Sequence, residues 1–215
     1  MNIKINDWIK QLPSFKSSFI PLIKSGNLIE LQEYSIALGI DLTQFLNRNI
    51  YNDNEFLSLN NKDKALFIRN EIVPAVVASH NLSSALSFES VQEILKGKGL
   101  LFTPANASSI DERLKAIVAG GLKYIIDEDN LNAGLNVYNS GFQQIINNAP
   151  RSLINNTSIK TFERIGEPLK GQRVIAVYAD ACDYCREKAR EPFDLGFVES
   201  FEGFHDFCSC RLEIL

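Results

Sequence analysis

The sequence predicts a mainly α-helical protein that ends in a small C-terminal α+β lobe. Two observations support this fold class. From the N-terminus to about residue 170, the sequence is mainly helical in pattern, with apolar residues that recur every three or four positions, the period of an amphipathic helix. The period then changes, because Arg173–Ala179 (RVIAVYA) is rich in β-branched and aromatic residues and Arg211–Leu215 (RLEIL) alternates. Both segments are therefore predicted to be strands, and the lobe is expected to span residues 172–215.

Glycine, proline and aspartate suggest where the first helices begin and end. Gly39 is predicted to end the helix that starts near Leu28, and Asp41 is predicted to cap the next one. A further helical run begins near Asn61, and Pro74 is expected to kink it or restart it. The first 129 residues are therefore expected to form a series of helices connected by short turns.

The second half of the helical region contains two clear apolar stripes. Ser109 and Glu112 form a capping box that opens a helix, and Gly120-Gly121 within that helix predicts a close helix crossing or a bend. The next helix is expected at about 130–148 with Pro150 ending it, and another helix at 152–165. The two stripes are predicted to pack in the core, and they comprise Leu114, Ile117, Val118, Leu122, Ile125 and Ile126, then Leu131, Leu135, Tyr138, Phe142, Ile145 and Ile146.

Composition and charge exclude several classes of protein. The chain has 215 residues, 45% of them hydrophobic, and a net charge of −4. Because no basic stripe appears, nucleic acid is not expected to be a primary partner. The N-terminal sequence MNIKINDWIKQLPSF lacks the apolar core of a signal peptide, and no window approaches 18 uncharged apolar residues, so no membrane span is expected. The chain is therefore expected to be made and folded in the cytosol.

The residues that carry chemistry lie at the C-terminus. All four cysteines occur in the last 34 residues, as Cys182-x-x-Cys185 and as His205-x-x-Cys208-x-Cys210, which includes one of the two histidines. Two such pairs from distant points of a chain can complete the tetrahedron that structural Zn²⁺ prefers. One zinc ion per chain is therefore predicted, clamping the base of the nineteen-residue loop Arg186–Phe204. It would stabilise the C-terminal lobe.

The five candidate ligands leave alternatives open. A closed site needs four ligands, and Cys182, Cys185 and Cys210 are expected with either His205 or Cys208 as the fourth. Two disulfides are a competing interpretation that a cytosolic origin disfavours. A redox Cys-x-x-Cys is another, but it would leave the second pair of cysteines without a role.

A catalytic zinc site is not expected. Such a site keeps a position open for water, whereas the candidate ligands here outnumber a closed tetrahedron. The sequence has neither the His-x-Glu and Pro-Cys-x-x-Cys of zinc deaminases nor an HExxH motif. Residues 182–215 carry four Lys or Arg and eight Asp or Glu, a net charge of 4 − 8 = −4, which is unlike most zinc modules that read nucleic acid. His80 has no sequence partner and is expected to be an ordinary helix-face histidine.

The run VIAVYADACDYCREKA and the closing FHDFCSCRLEIL resemble the C-terminal part of the Mu F-like minor head proteins, the head morphogenesis family of tailed bacteriophages. In that family two helices lead into a strand, a Cys-x-x-Cys, a variable loop and a closing His-x-x-Cys-x-Cys. The resemblance covers residues 130–215, and residues 1–129 match no family. The helices of this chain carry less Arg than is usual there, and the acidic stretch Glu199–Phe204 departs from the family pattern.

The resemblance implies a structural role without enzymatic activity. It implies a minor protein of the virion, inside the phage head, with portal or capsid proteins as partners and with homo-oligomers as an option. Two other interpretations come from different classes: a zinc-stabilised enzyme or toxin domain, and an intracellular adaptor that binds a partner through its helices. No paired carboxylates, nucleophile elbow or phosphate loop in the sequence favours the enzyme.

Overall fold

A computed structural model describes residues 2–25, 28–97, 110–165, 172–175, 183–188 and 211–214. The described part is mainly α-helical, which confirms the predicted class at that level. The strands are β1 (Gln172–Ile175) and β2 (Arg211–Ile214). The helices are α1 (Asn2–Ser25), α2 (Leu28–Leu46), α3 (Asn54–Ser58), α4 (Asn61–Phe67), α5 (Val73–Gly97), α6 (Asp111–Leu122), α7 (Leu131–Ile165) and α8 (Asp183–Lys188).

Three π-helical turns interrupt or end the helices: Asn47–Tyr51 after α2, Ile68–Ile72 between α4 and α5, and Lys123–Asp127 after α6. The second turn lies directly before Pro74, so the predicted restart of the helix there agrees with the structure. Each turn directs a fully buried isoleucine into the same core: Ile50, Ile68 with Ile72, and Ile125.

One continuous core joins α1 to α7. Trp8 of α1, Leu42 of α2 and Val76 of α5 are buried in it, together with Tyr138 and Phe142 of α7. The Trp8 indole donates from Nε1 to Ser79 Oγ at 3.2 Å, so even this large ring has its polar atom paired. The prediction that the α7 stripe packs is confirmed for Leu135, Tyr138, Phe142, Ile145 and Ile146, all of which are buried.

Gly39 does not end α2, and Asp41 does not cap a new helix, so both predictions are wrong. The helix continues to Leu46. A Cβ on Gly39 would lie 2.8 Å from Asn147 Oδ1 and 3.2 Å from Gln143 Cγ. The glycine therefore allows α2 and α7 to approach closely. A residue that was predicted to end a helix instead lies at a contact between two helices.

Pro150 does not end α7 either, since that helix runs to Ile165. A proline inside a helix removes the hydrogen bond to the carbonyl four residues earlier, which here is Ile146 O. Ser83 Oγ of α5 lies 3.5 Å from that carbonyl. The helix continues through the proline although this backbone bond is missing.

The predicted close crossing at Gly120-Gly121 is confirmed at the second glycine. A Cβ on Gly121 would lie 2.3 Å from Tyr138 Cζ, and one on Gly134 would lie 2.4 Å from Ile125 Cγ1. Tyr138 lies across this contact and donates its hydroxyl hydrogen to Val118 O at 3.2 Å. Small residues on both α6 and α7 thus bring the two helices together.

The start of α6 differs from the predicted capping box. The helix begins at Asp111 after Ile110, which has no capping side chain, and Glu112 pairs with Lys115 at 2.7 Å. Ser109 lies outside the described residues. Ile126, expected to pack, is 50% exposed, because it lies where α6 has already given way to the π-helical turn 123–127.

The two strands form an antiparallel ladder in which Gln172 is paired with Ile214 and Ile175 with Arg211. They overlap the two segments predicted to be strands, and β2 lies next to α2. A zinc-stabilised lobe as a unit stays a prediction. The division of the chain at residue 130 also stays a prediction, since it concerns family affinity, while α7 shares its core with the helices before it.

Candidate functional site

Of the five predicted zinc ligands, the structure describes Cys185. This residue lies on α8, and its side chain is only 3% exposed. Cys182 directly precedes α8, and with His205, Cys208 and Cys210 it lies outside the described residues. Its thiol is therefore covered by protein, whereas the neighbouring residues Tyr184 and Arg186 are exposed.

In the sequence, the two predicted ligand pairs follow β1 and precede β2. Cys182 lies seven residues after Ile175, the last residue of β1, and β2 begins one residue after Cys210. Ile175 and Arg211 are paired in the ladder. The predicted pairs are therefore next in sequence to the two strand ends that lie side by side.

Among the described residues, no group of three or more His, Cys, Asp or Glu side chains is placed to hold a metal ion. The acidic side chains next to Cys185 are in solvent: Asp183 and Glu187 are exposed, and Asp183 forms a 3.7 Å ion pair with Arg186. The complete ligand set therefore stays a prediction from the sequence.

His80, the other histidine, lies on α5 with 6% exposure. Burial lowers the pKa of its imidazole, although a 3.5 Å contact between Nδ1 and Asn81 Oδ1 opposes this shift. No titratable side chain forms a hydrogen bond with the His80 ring in the described part of the chain. His80 is a packed helix-face residue, as expected.

A buried polar seam between α2, α5 and α7 was not apparent in the sequence. Its centre is Ser83, whose hydroxyl donates to Ser35 Oγ of α2 at 2.7 Å and lies 3.5 Å from the Ile146 carbonyl of α7. Three more serines of α5 bond to the carbonyl four residues earlier, a pairing that frees them from needing partners on other helices. They are Ser79, Ser87 and Ser90, each 2% exposed or less.

Asn147 of α7 is the unusual member of this seam. It is 1% exposed, and neither its Oδ1 nor its Nδ2 has a hydrogen-bond partner among the described protein groups. Unpaired buried amides are uncommon in native proteins and cost about 1–3 kcal/mol per group. The serine spacing of four, four and three along α5 is the sequence signal that could have revealed the seam.

An open groove of about 400 Å³ is the second feature that the sequence did not reveal. One wall is the π-helical turn 68–72 with the start of α5, and the other wall is α6. Most lining side chains are apolar, and three charged groups lie among them. We call this the α5–α6 groove, and its lining is Arg69, Val73, Asp111, Leu114, Lys115, Val118, Ala119 and Leu122.

No helix in the described ranges combines the length and the apolar character needed to cross a bilayer. No protein-family model matches the chain, and neither a curated protein nor a solved structure shows significant similarity to it.

Proposed function

We propose that this chain is a minor structural protein of a tailed-phage head with one structural zinc ion and no catalytic centre. The single observation that carries the proposal is the paired motif Cys182-x-x-Cys185 and His205-x-x-Cys208-x-Cys210 at the C-terminus, directly followed by a final strand. This order of elements is that of the Mu F-like minor head proteins that the sequence resembles. Portal or capsid proteins are the proposed partners.

The geometry around the motif supports a structural ion. The end of β1 that leads to the first predicted pair is paired with the start of β2, which follows the second pair in sequence, and this is compatible with a shared ion. Two four-residue strands and a six-residue helix have little capacity to stabilise themselves, because isolated two-stranded hairpins and helices this short are marginal in water. A zinc ion bound at the base of the loop would supply the missing stabilisation.

The proposed absence of catalysis rests on the chemistry of the donors. Five candidate ligands exceed the four of a closed tetrahedron, so the ion needs no open water position. The nearest described carboxylates, Asp183 and Glu187, are exposed to solvent and do not line an enclosed site in which a general acid could act.

The test replaces both cysteines of the first pair, Cys182→Ser and Cys185→Ser, in the phage genome. We expect purified wild-type protein to hold about one zinc per chain after dialysis and the double variant to hold none. The variant should also be incorporated into heads at a reduced level. Glu187→Gln, an exposed change on the same helix, is the matched control and should change neither zinc content nor incorporation.

Two outcomes would contradict this proposal. If purified wild-type protein holds no metal while its thiols remain reduced, the chain does not bind a structural zinc ion. A double variant that assembles into normal particles but loses a hydrolytic or transferase activity would establish the alternative, a zinc-stabilised enzyme.

A further inference from the structure

The α5–α6 groove has the form of a docking site for an extended or helical segment. One wall is formed by Arg69 and Val73 and the other by α6. Asn61 of α4, which precedes the first wall in the chain, donates to Ile125 O, which follows the second, at 2.9 Å. Its volume of about 400 Å³ falls within the 300–1,000 Å³ range typical of binding sites.

Exposed apolar side chains continue the lining beyond the groove. Leu66 lies one turn before Arg69 and is 45% exposed, and Ile126 lies one turn after Leu122 and is 50% exposed. These are two of five large hydrophobic side chains described as exposed. An apolar strip that follows a helix pair for several turns fits the anchor residues of a bound segment.

The charges at the rim favour an acidic occupant. Arg69 is exposed and makes no hydrogen bond or ion pair within the described part of the chain. Lys115 is paired with Glu112, but both side chains are more than 70% exposed, so the pair is weak and easily exchanged. Asp111 is a third charged group of the lining, at the first position of α6. Two cations on opposite walls can thus receive carboxylates.

One segment of this chain has the complementary composition. Residues 191–207, which we call the acidic phenylalanine segment, contain five carboxylates and no Lys or Arg. They also contain five phenylalanines, spaced by four, four, three and three residues, which is the spacing of anchors in helix-in-groove recognition. The phenylalanines are Phe193, Phe197, Phe201, Phe204 and Phe207.

We propose that the α5–α6 groove binds the acidic phenylalanine segment of this chain. The phenyl rings enter the apolar floor between α5 and α6, and the carboxylates contact Arg69 and Lys115 at the rim. The groove and the segment form an interaction pair within the chain or between neighbouring copies. This inference does not depend on the proposed function or on the identity of the zinc ligands.

The test is photo-cross-linking in the purified full-length protein. Phe201→p-benzoylphenylalanine places the probe in the segment, and the same probe at Tyr184, exposed on α8, is the control. We expect irradiation to join position 201 to residues 66–73 or 111–126, and position 184 to join neither range. Adducts of monomer or of dimer size both support the proposal and distinguish binding within a chain from binding between copies.

Charge reversal tests the rim. Arg69→Glu with Lys115→Glu should reduce the yield of the adduct about fivefold, since exposed ion pairs contribute up to about 1 kcal/mol each. Adding Glu199→Lys and Glu202→Lys should restore it. Lys123→Glu, an exposed reversal just after α6 and outside the groove, should leave the yield unchanged.

Cross-links from position 201 that map elsewhere would overturn the proposal, as would a yield that neither reversal alters. Phe197→Ser offers an independent check that leaves the helical body untouched, and it should also lower the adduct. An unchanged yield in that variant would likewise contradict docking through the aromatic side chains.

Discussion

The helical body and the C-terminal segments are stabilised by different means. From α1 to α7, side chains such as Trp8, Phe56 and Phe142 share one core and are almost completely buried. The described C-terminal elements comprise a ladder of four paired residues and a helix of six. Burial alone can stabilise the first region, whereas elements this short are marginal without further support.

The difference fits the proposed position of the zinc ion. A domain of ordinary size needs no metal, because its core removes enough apolar surface from water. A short lobe would gain most from a cross-link, and all four cysteines of the chain lie in the last 34 residues. Variants that alter either region test this comparison.

The largest effect within the body is expected at the α6–α7 crossing. Gly121→Ala places a methyl group 2.3 Å from the Tyr138 ring, so it should lower the free energy of unfolding by roughly 3 kcal/mol through overpacking. Gly120→Ala is the matched control, since its Cβ meets only Val137 Cγ1 at 3.6 Å. It should stabilise the protein by about 0.5–1 kcal/mol, as alanine does in place of glycine inside helices.

Chemical denaturation of the two glycine variants measures these changes. Equal destabilisation by both would show that the close crossing at Gly121 is not the cause. A loss at Gly121 without loss of zinc would show that the two regions are stabilised separately.

A smaller change in the free energy of unfolding, of opposite sign, is expected for a variant in the polar seam. Asn147→Leu should raise the free energy of unfolding by about 1 kcal/mol, because it removes an amide with no partner among the described groups and keeps the branched shape of the side chain. Asn132→Leu, an exposed change on the same helix, should be within about 0.5 kcal/mol of wild type. Destabilisation by Asn147→Leu would instead mean that the amide makes bonds in solution, for example to a buried water.

The smallest expected effect is on the way the stability of the protein depends on pH. Burial lowers the pKa of His80 below the ordinary imidazole value of about 6.5, so the unfolded chain binds a proton more readily than the folded one. The contribution of His80 to stability is therefore complete above pH 6.5 and is lost as the pH falls below it. Urea titrations between pH 7 and 5 should show a smaller loss for His80→Gln than for wild type. Identical pH dependence would contradict a buried, neutral imidazole.

The sequence was a good guide to the apolar faces. Tyr138, Phe142 and Ile146 were predicted to pack and are fully buried, because the helical period reports burial directly. Residues that break helices in isolation were poor guides. Gly39 and Pro150 were expected to end helices, but α2 and α7 continue through both positions, and Gly39 packs closely against Asn147.

The features that the sequence did not reveal depend on long-range juxtaposition. The α5–α6 groove joins residues far apart in the chain, such as Arg69 and Lys115, and no local pattern indicates that pairing. The polar seam was missed because serine and asparagine carry no apolar period. The cysteine motifs could be recognised in the sequence, since metal-ligand spacing is local. Spacing alone does not decide whether His205 or Cys208 is the fourth predicted zinc ligand.

We propose that zinc organises the C-terminal lobe, whereas the helical body is stable by itself. Hydrogen exchange with and without a zinc chelator measures both regions in one experiment. We expect chelation to accelerate exchange throughout residues 172–215 and to leave amides of α2, α5 and α7 protected. Loss of protection across those helices, or unchanged exchange in residues 172–215, would contradict the claim.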